Sequence, residues 1–158
     1  MTTSKSITSV EGRDLILKRI INARPEKVFK AWTEPALIKQ WFAPLPWTTA
    51  KVELDVRAGG ASLIVMRSPD GKEYPNHGVY LEVVQNEHLV FTDAFTTAWK
   101  LSEKPFMVVD LMFEAQGEHT NYTARVHHWL LADREAHEKM GFHQGWATCA
   151  EQLAALVE

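Results

Sequence analysis

The chain has 158 residues, of which 46% are hydrophobic and 23% are charged, and this composition excludes a disordered or collagen-like protein. Its 17 basic and 20 acidic residues give a formal net charge of -3, so a basic nucleic-acid-binding surface is not expected. A chain of this length buries enough surface to fold as one domain without a disulfide or metal, and it has a single cysteine.

The N-terminal end shows no targeting signal. Residues 1–12 are rich in Ser and Thr and lack the apolar core of a secretory signal. No stretch approaches the roughly 18 apolar residues that a membrane span requires. We therefore expect a cytoplasmic protein with no integral membrane association, in which residues 1–12 form a flexible segment and residues 13–158 form one domain.

The predicted elements begin with a strand at 14–21 and two short helices. Pro25 suits the first turn of the first helix, and Thr33 suits the N-cap of the second. Residues 50–56 alternate between apolar and polar side chains, which indicates a strand with one buried face.

Turn signals then separate a series of antiparallel strands. Asp70-Gly71 predicts a hairpin, and later turns divide the strands predicted at 89–95, 107–114 and 120–131. A long amphipathic helix is expected from Asp133 to Val157. Its apolar stripe recurs at helical spacing and consists of Phe142, Trp146, Cys149, Leu153 and Leu156.

This order predicts an α+β fold in which a curved antiparallel sheet of about six to seven strands wraps around the C-terminal helix. The two short helices follow the first predicted strand. A curved sheet leaves space beneath a crossing helix, so the default ligand site is an internal cavity between them. The six tryptophans and seven phenylalanines either fill that core or line the cavity.

Several short sequence motifs occur in a characteristic order. They are ARPEKVFKAWTEP at 23–35, WFAP at 41–44, RAGG at 57–60, MRSPDG at 66–71, GVYLEVV at 78–84 and GW at 145–146. Together they resemble the START/Bet v 1-like (SRPBCC) superfamily, and more closely its branch related to the C-terminal domain of the activator of the heat-shock-protein-90 ATPase. The resemblance covers about residues 13 to 157.

The resemblance implies a helix-grip fold with a cavity for an apolar or amphipathic small molecule. The superfamily carries many functions on this scaffold, including lipid or hormone carriage, polyketide cyclisation, hydration and cochaperone binding. It supplies no shared catalytic motif that can be placed on this chain residue by residue.

His128 is the histidine that we expect to face the cavity. It shares a strand face with Tyr122, Val126 and Leu130, whereas the adjacent His127 points the other way. A histidine facing a cavity can orient a ligand or move a proton near neutral pH. The more conservative interpretation, which we prefer, is a hydrogen-bonded core histidine.

Asp93 shares a predicted strand face with Leu89 and Phe91. An acid in that position would be desolvated and could act as an acid or base partner. The alternative that we prefer is that the strand ends or bulges near Asp93, so that its carboxylate reaches water.

The predicted cavity lining combines inward strand positions with the helix stripe. It consists of Met66, Leu81, Phe91, Asp93, Leu111, Phe113, His128, Phe142 and Trp146. Three further tryptophans, Trp41, Trp47 and Trp99, fall near helix or loop ends, where they either gate an entrance or cap the core.

Known catalytic and cofactor motifs are absent from the sequence. His137 and His143 are six residues apart, which places them off a common helix face, and no metal-ligand cluster is apparent. No nucleophile elbow occurs, and Cys149 lies on the apolar stripe, where a thiol is usually inert. We therefore assign no catalytic residue, no metal and no cofactor.

The sequence favours binding of a small hydrophobic or amphipathic molecule in the cavity. The first alternative is a cyclase- or hydratase-type enzyme that uses His128 and Asp93. The second is a module that interacts with a chaperone, for which an exposed patch rather than an open cavity would be expected. A homodimer through edge strands or helix surfaces stays open.

Overall fold

The computed structural model describes residues 5–97 and 99–158. Its elements in chain order are β1 (Ile7–Glu11), β2 (Asp14–Ile21), α1 (Pro25–Thr33), α2 (Pro35–Trp41), β3 (Thr48–Leu54), β4 (Ala61–Arg67), β5 (Glu73–Val84), β6 (His88–Thr92), β7 (Phe95–Thr97), β8 (Lys100–Leu101), β9 (Met107–Gln116), β10 (His119–His128), α3 (Leu131–Lys139) and α4 (Phe142–Val157).

The main sheet of the described residues has eight antiparallel strands in the order β1-β2-β10-β9-β6-β5-β4-β3, and β7 and β8 form a separate hairpin. The predicted α+β helix-grip fold is confirmed. The predicted strand number is too low by at least one because β1 was not expected. Residues 7–11 form a paired strand on β2, with Ile7 opposite Lys18, rather than part of a flexible segment. Residues 1–4 lie outside the described residues.

The two short helices follow β2 as expected, and Pro25 is the first residue of α1. The predicted N-cap role of Thr33 is wrong. Thr33 ends α1, where its hydroxyl donates to the Phe29 carbonyl at 2.9 Å. Glu34 precedes α2, which begins at Pro35 because proline lacks an N–H and has the backbone angle of a first helical turn.

The C-terminal segment forms two helices, so the expectation of one continuous helix from Asp133 is wrong. The break lies at Met140 and Gly141, and Gly141 has a φ of 100°. That left-handed backbone conformation is readily adopted by glycine and cannot continue a right-handed helix. The chain therefore changes direction between α3 and α4.

α4 packs against β1 and β2 and against both short helices. The predicted apolar stripe is confirmed: Phe142 and Leu153 are buried, and its other members pack against the same core. We call the side of the sheet that faces α4 the inner face and the opposite side the outer face. Leu111 and Val126 are fully buried on the inner face, whereas Met112 is exposed on the outer face.

Candidate functional site

A cavity of about 480 Å³ lies between the inner face and the helices. Its volume falls within the usual range of small-molecule sites. Strands β4, β5, β6 and β9 supply one side, and the helices supply the other. The cavity therefore occupies the position that the helix-grip arrangement predicts.

The apolar wall is dominated by two tryptophans from the short helices. The rings of Trp32 and Trp41 meet edge to face, with centroids 4.7 Å apart. The Trp32 indole donates to the Tyr122 hydroxyl at 3.1 Å, and the Trp41 indole donates to the Ala31 carbonyl at 3.0 Å. Because both N–H groups are used inside the protein, these side chains offer mainly apolar ring surface to the cavity.

Two other potentially reactive groups on this wall are held neutral. The Cys149 thiol lies 3.0 Å from the Phe42 carbonyl, and burial raises its pKa to about 12. Burial also raises the pKa of Tyr122. At neutral pH both side chains keep their protons, which agrees with the inert thiol expected from the sequence.

The polar wall includes Asp93, Thr96, Ser102 and Lys104. Asp93 Oδ1 accepts hydrogen bonds from the backbone N–H groups of Phe106 and Met107 at 2.9 and 3.0 Å. Thr96 and Ser102 line the cavity, and their hydroxyls are buried and have no hydrogen-bond partner within the described residues. Unpartnered buried hydroxyls are costly, so this wall has unused capacity for hydrogen bonding.

A histidine pair lies beside the polar wall. His128 Nδ1 is 2.8 Å from the Arg13 carbonyl oxygen, and His128 Nε2 is 2.9 Å from His137 Nδ1. Phe106 packs against both imidazoles. Of this pair, only His137 lines the cavity. Burial lowers the pKa of His137 to about 4, and repulsion from His128 when that imidazole is protonated contributes less.

Five of the predicted lining residues meet around the cavity: Met66, Phe91, Asp93, Phe142 and Trp146. Asp93 follows the last residue of β6, so the strand ends where the alternative interpretation placed its end. Its carboxylate is only partly exposed and binds two backbone amides.

Three predicted residues are inside the molecule but do not line this cavity. Leu111 and Phe113 lie in the packed part of the core, and Phe113 contacts Phe29 edge to face. His128 is buried behind His137, so the preferred interpretation as a hydrogen-bonded core histidine describes its position.

The placement of Leu81 at the cavity is wrong, because its side chain lies on the outer face and is 45% exposed. The pairing of β5 with β6 shifts register between Tyr80 and Glu82. Such a bulge adds one residue to one strand and reverses the alternation of side chains beyond it. Strict alternation therefore assigns Leu81 to the wrong face.

The three tryptophans near element ends have different positions. Trp41 lines the cavity, Trp47 packs on Tyr74, and Trp99 is 91% exposed. Sequence reasoning gave no cavity role to Trp32, Tyr122, Thr96, Ser102 or His137. His137 was considered only as a partner of His143, on a helix assumed to be continuous.

The outer face carries a different histidine site. His88 lies 3.2 Å from Glu82 Oε1 and 2.6 Å from Asp110 Oδ1. Burial by itself lowers the pKa of His88, but the hydrogen bonds and charges of the two carboxylates outweigh it, so the pKa is raised. No group of three or more metal-binding side chains occurs in residues 5–97 and 99–158.

No helix in the described part of the chain combines the length and apolar character needed to cross a membrane.

Comparison with known proteins identifies close structural relatives. Protein NE0264 from Nitrosomonas europaea is 35% identical to this chain and has a TM-score of 0.89. The alignment covers 94% of this chain and 96% of NE0264. Protein CV1439 from Chromobacterium violaceum is 25% identical and has a TM-score of 0.76, and the alignment covers 92% of this chain and 97% of CV1439. Protein Ms6760 from Mycobacterium smegmatis, at 18% identity, 99% and 98% coverage and a TM-score of 0.82, shares the fold. No curated protein matches the chain.

The family model described as Activator of Hsp90 ATPase homolog 1-like protein matches residues 22–158. This range contains the short helices, most of the sheet and both C-terminal helices. The chain therefore belongs to the Activator of Hsp90 ATPase homolog 1-like family, a branch of the SRPBCC superfamily.

Proposed function

We propose that the chain binds a small hydrophobic or amphipathic molecule in the cavity between the sheet and α4. Family membership supports a ligand-binding or chaperone-associated domain. The observation that carries the ligand-binding proposal is the cavity of about 480 Å³. A filled core would leave no such space, since protein interiors are otherwise close-packed.

The chemistry of the walls supports an amphipathic ligand. The rings of Trp32 and Trp41 form apolar surface, whereas Thr96 and Ser102 leave buried hydroxyls without partners. A ligand with one flat apolar part and one polar part would bury apolar area and satisfy hydroxyls at once. Water alone would satisfy only the hydroxyls.

The enzyme alternative with His128 and Asp93 has less support. His128 is separated from the cavity by His137, and one oxygen of Asp93 already binds two backbone amides. The chaperone alternative is favoured by the family description but by no particular surface of the described residues. A cytoplasmic location and a homodimer remain predictions.

The test is a titration with a panel of fatty acids, flavonoids, sterols and polyketide-like aromatics. Binding is measured by isothermal titration calorimetry and by the change in melting temperature. We expect saturable binding by at least one class, with a raised melting temperature. Linkage predicts about 2.7 kcal/mol of added stability at a ligand concentration of 100 times the Kd. Absence of binding across the panel would contradict the proposal.

Gly145 provides a variant that blocks the cavity. It lines the cavity from α4, and a Cβ at this position would meet no atom within 4 Å. Gly145→Phe should therefore fill the space, keep the fold and weaken binding. The matched control is Gln144→Phe, which adds the same ring at an exposed position of the same helix. Equal binding by both variants would show that the ligand lies elsewhere.

A further inference from the structure

The histidine pair fixes which nitrogen of His137 carries the proton. The Arg13 carbonyl oxygen can only accept a hydrogen bond, so His128 Nδ1, 2.8 Å away, must carry a hydrogen. His128 is buried, with no carboxylate within hydrogen-bonding distance in the described residues. A buried cation without a partner is costly, and in the neutral imidazole with Nδ1 as the donor, Nε2 is the acceptor.

The acceptor role of His128 Nε2 determines which nitrogen of His137 carries the hydrogen. His128 Nε2 accepts a hydrogen bond, and the atom 2.9 Å from it is His137 Nδ1. His137 Nδ1 therefore carries the hydrogen of this imidazole. In a neutral ring the other nitrogen is then unprotonated, so His137 Nε2 has a free lone pair.

This nitrogen is available to a ligand. Within the described residues no side chain or backbone group hydrogen-bonds to His137 Nε2, and the ring lines the cavity. The rings of Phe106 and Phe142 both pack against the imidazole, with centroids 5.2 Å from its own. They hold the ring in place and offer no hydrogen bond that would compete for the nitrogen.

We infer that His137 Nε2 accepts a hydrogen bond from a hydroxyl group of the bound molecule, so that the cavity selects phenols or enols over ethers and hydrocarbons of the same shape. This inference rests on the proposed function and adds the chemical class of the ligand. The low pKa of His137 agrees with it, because the ring stays an acceptor at neutral pH. His128 is a positioning residue: by accepting a hydrogen bond from His137 Nδ1, it fixes the tautomer of His137.

The first test compares two probes of nearly the same shape, 2-naphthol and 2-methoxynaphthalene, by isothermal titration calorimetry. The methyl ether cannot donate a hydrogen bond. We expect the ratio of their affinities to fall roughly 2- to 10-fold from the unmodified protein to His137→Phe, the size of one hydrogen bond. Comparing ratios between proteins cancels the different hydration of the two probes. His119→Phe, at an exposed position on β10, should keep the original ratio.

The second test measures the tautomer directly, by long-range proton–nitrogen NMR spectra of the imidazoles in the free protein. We expect His137 Nε2 to give the signal of an unprotonated nitrogen. In His128→Phe the acceptor is missing, so the proton should distribute between both nitrogens of His137. A merely structural role of His128 would leave the tautomer unchanged.

The outcomes separate the two proposals. If both probes bind and the ratio is the same in His137→Phe, the ligand class is wrong and the binding function stands. A protonated His137 Nε2 in the free protein overturns the inference whatever binds. If neither probe binds and the panel also fails, both proposals fail together.

Discussion

Polar groups on the two sides of the main sheet have opposite surroundings: charged partners on the outer face, and aromatic rings and a cavity on the inner side. On the outer face, His88 lies between Glu82 and Asp110, and Arg125 binds Asp14 at 2.7 Å. On the inner side, His137 lies among aromatic rings and faces a cavity. The pKa of His88 is raised, and that of His137 is lowered.

The difference indicates where a ligand would be stabilised. Outer polar groups are already satisfied by opposite charges and by water, so an added molecule would have little to gain from them. On the inner side, the Thr96 and Ser102 hydroxyls are buried and lack hydrogen-bond partners within the described residues. A bound molecule that supplied those partners would remove an existing energetic cost. Four measurements test this difference between the two faces.

The largest expected effect is on stability at the inner side. Phe142→Ala should lower the free energy of unfolding by roughly 3–5 kcal/mol, because Phe142 is almost fully buried and its loss leaves a void. Leu81→Ala on the outer face should change it by about 0.5 kcal/mol or less. Urea unfolding of both variants measures the difference. Equal losses would mean that Leu81 faces the core after all.

The second prediction concerns acid. Unfolded His137 takes up a proton near pH 6.5, whereas folded His137 does so only near pH 4. The unfolded state therefore binds more protons in this range, and stability falls as the pH is lowered from 6.5 to 4, by up to about 3 kcal/mol from this group. The slope should be smaller in His137→Phe than in His119→Phe. Identical slopes in denaturant titrations at each pH would contradict the burial of His137.

The third prediction tests the internal hydrogen bond of the apolar wall. Tyr122→Phe leaves the buried Trp32 N–H without its acceptor, so we expect a loss of about 1–3 kcal/mol in the free energy of unfolding. The double variant Trp32→Phe, Tyr122→Phe removes both partners, and its loss should be smaller than the sum of the two single losses. Simple additivity would show that the two groups do not interact.

The smallest effect is expected on the outer face. Because the pKa of folded His88 is raised above 6.5, protonated His88 contributes stability that is complete below pH 6.5 and is lost as the pH rises through the raised pKa. His88→Gln should cost less than about 1 kcal/mol at pH 6, and the difference should narrow at higher pH. A difference that widened with pH would reverse the sign of this contribution.

The sequence predicts side-chain orientation well wherever the backbone is regular. Strand β10 alternates without interruption, so the assignment of His128 to the inner face and His127 to the outer face is confirmed. Strand β5 contains a bulge, and the same rule fails for Leu81. A bulge depends on the pairing of two strands, and alternation within one strand does not reveal it.

The helices show the same limit. Apolar spacing places Phe142 and Leu153 in the core, as observed. It does not show that Gly141 adopts a left-handed conformation and ends α3. The glycine inside an otherwise helical pattern was the available signal for this break. The partnership of His137 with His128 depends on how α3 packs against β10, and spacing along the chain says nothing about that packing.

The buried cysteine has a practical consequence for experiments on this protein. With a pKa of about 12, only roughly one Cys149 side chain in 100,000 carries a reactive thiolate at pH 7, far fewer than for an ordinary exposed thiol. Cys149 is the chain's sole cysteine. A cysteine introduced at an exposed position, such as Gln144→Cys, would therefore accept a maleimide dye with almost no background labelling of the native residue.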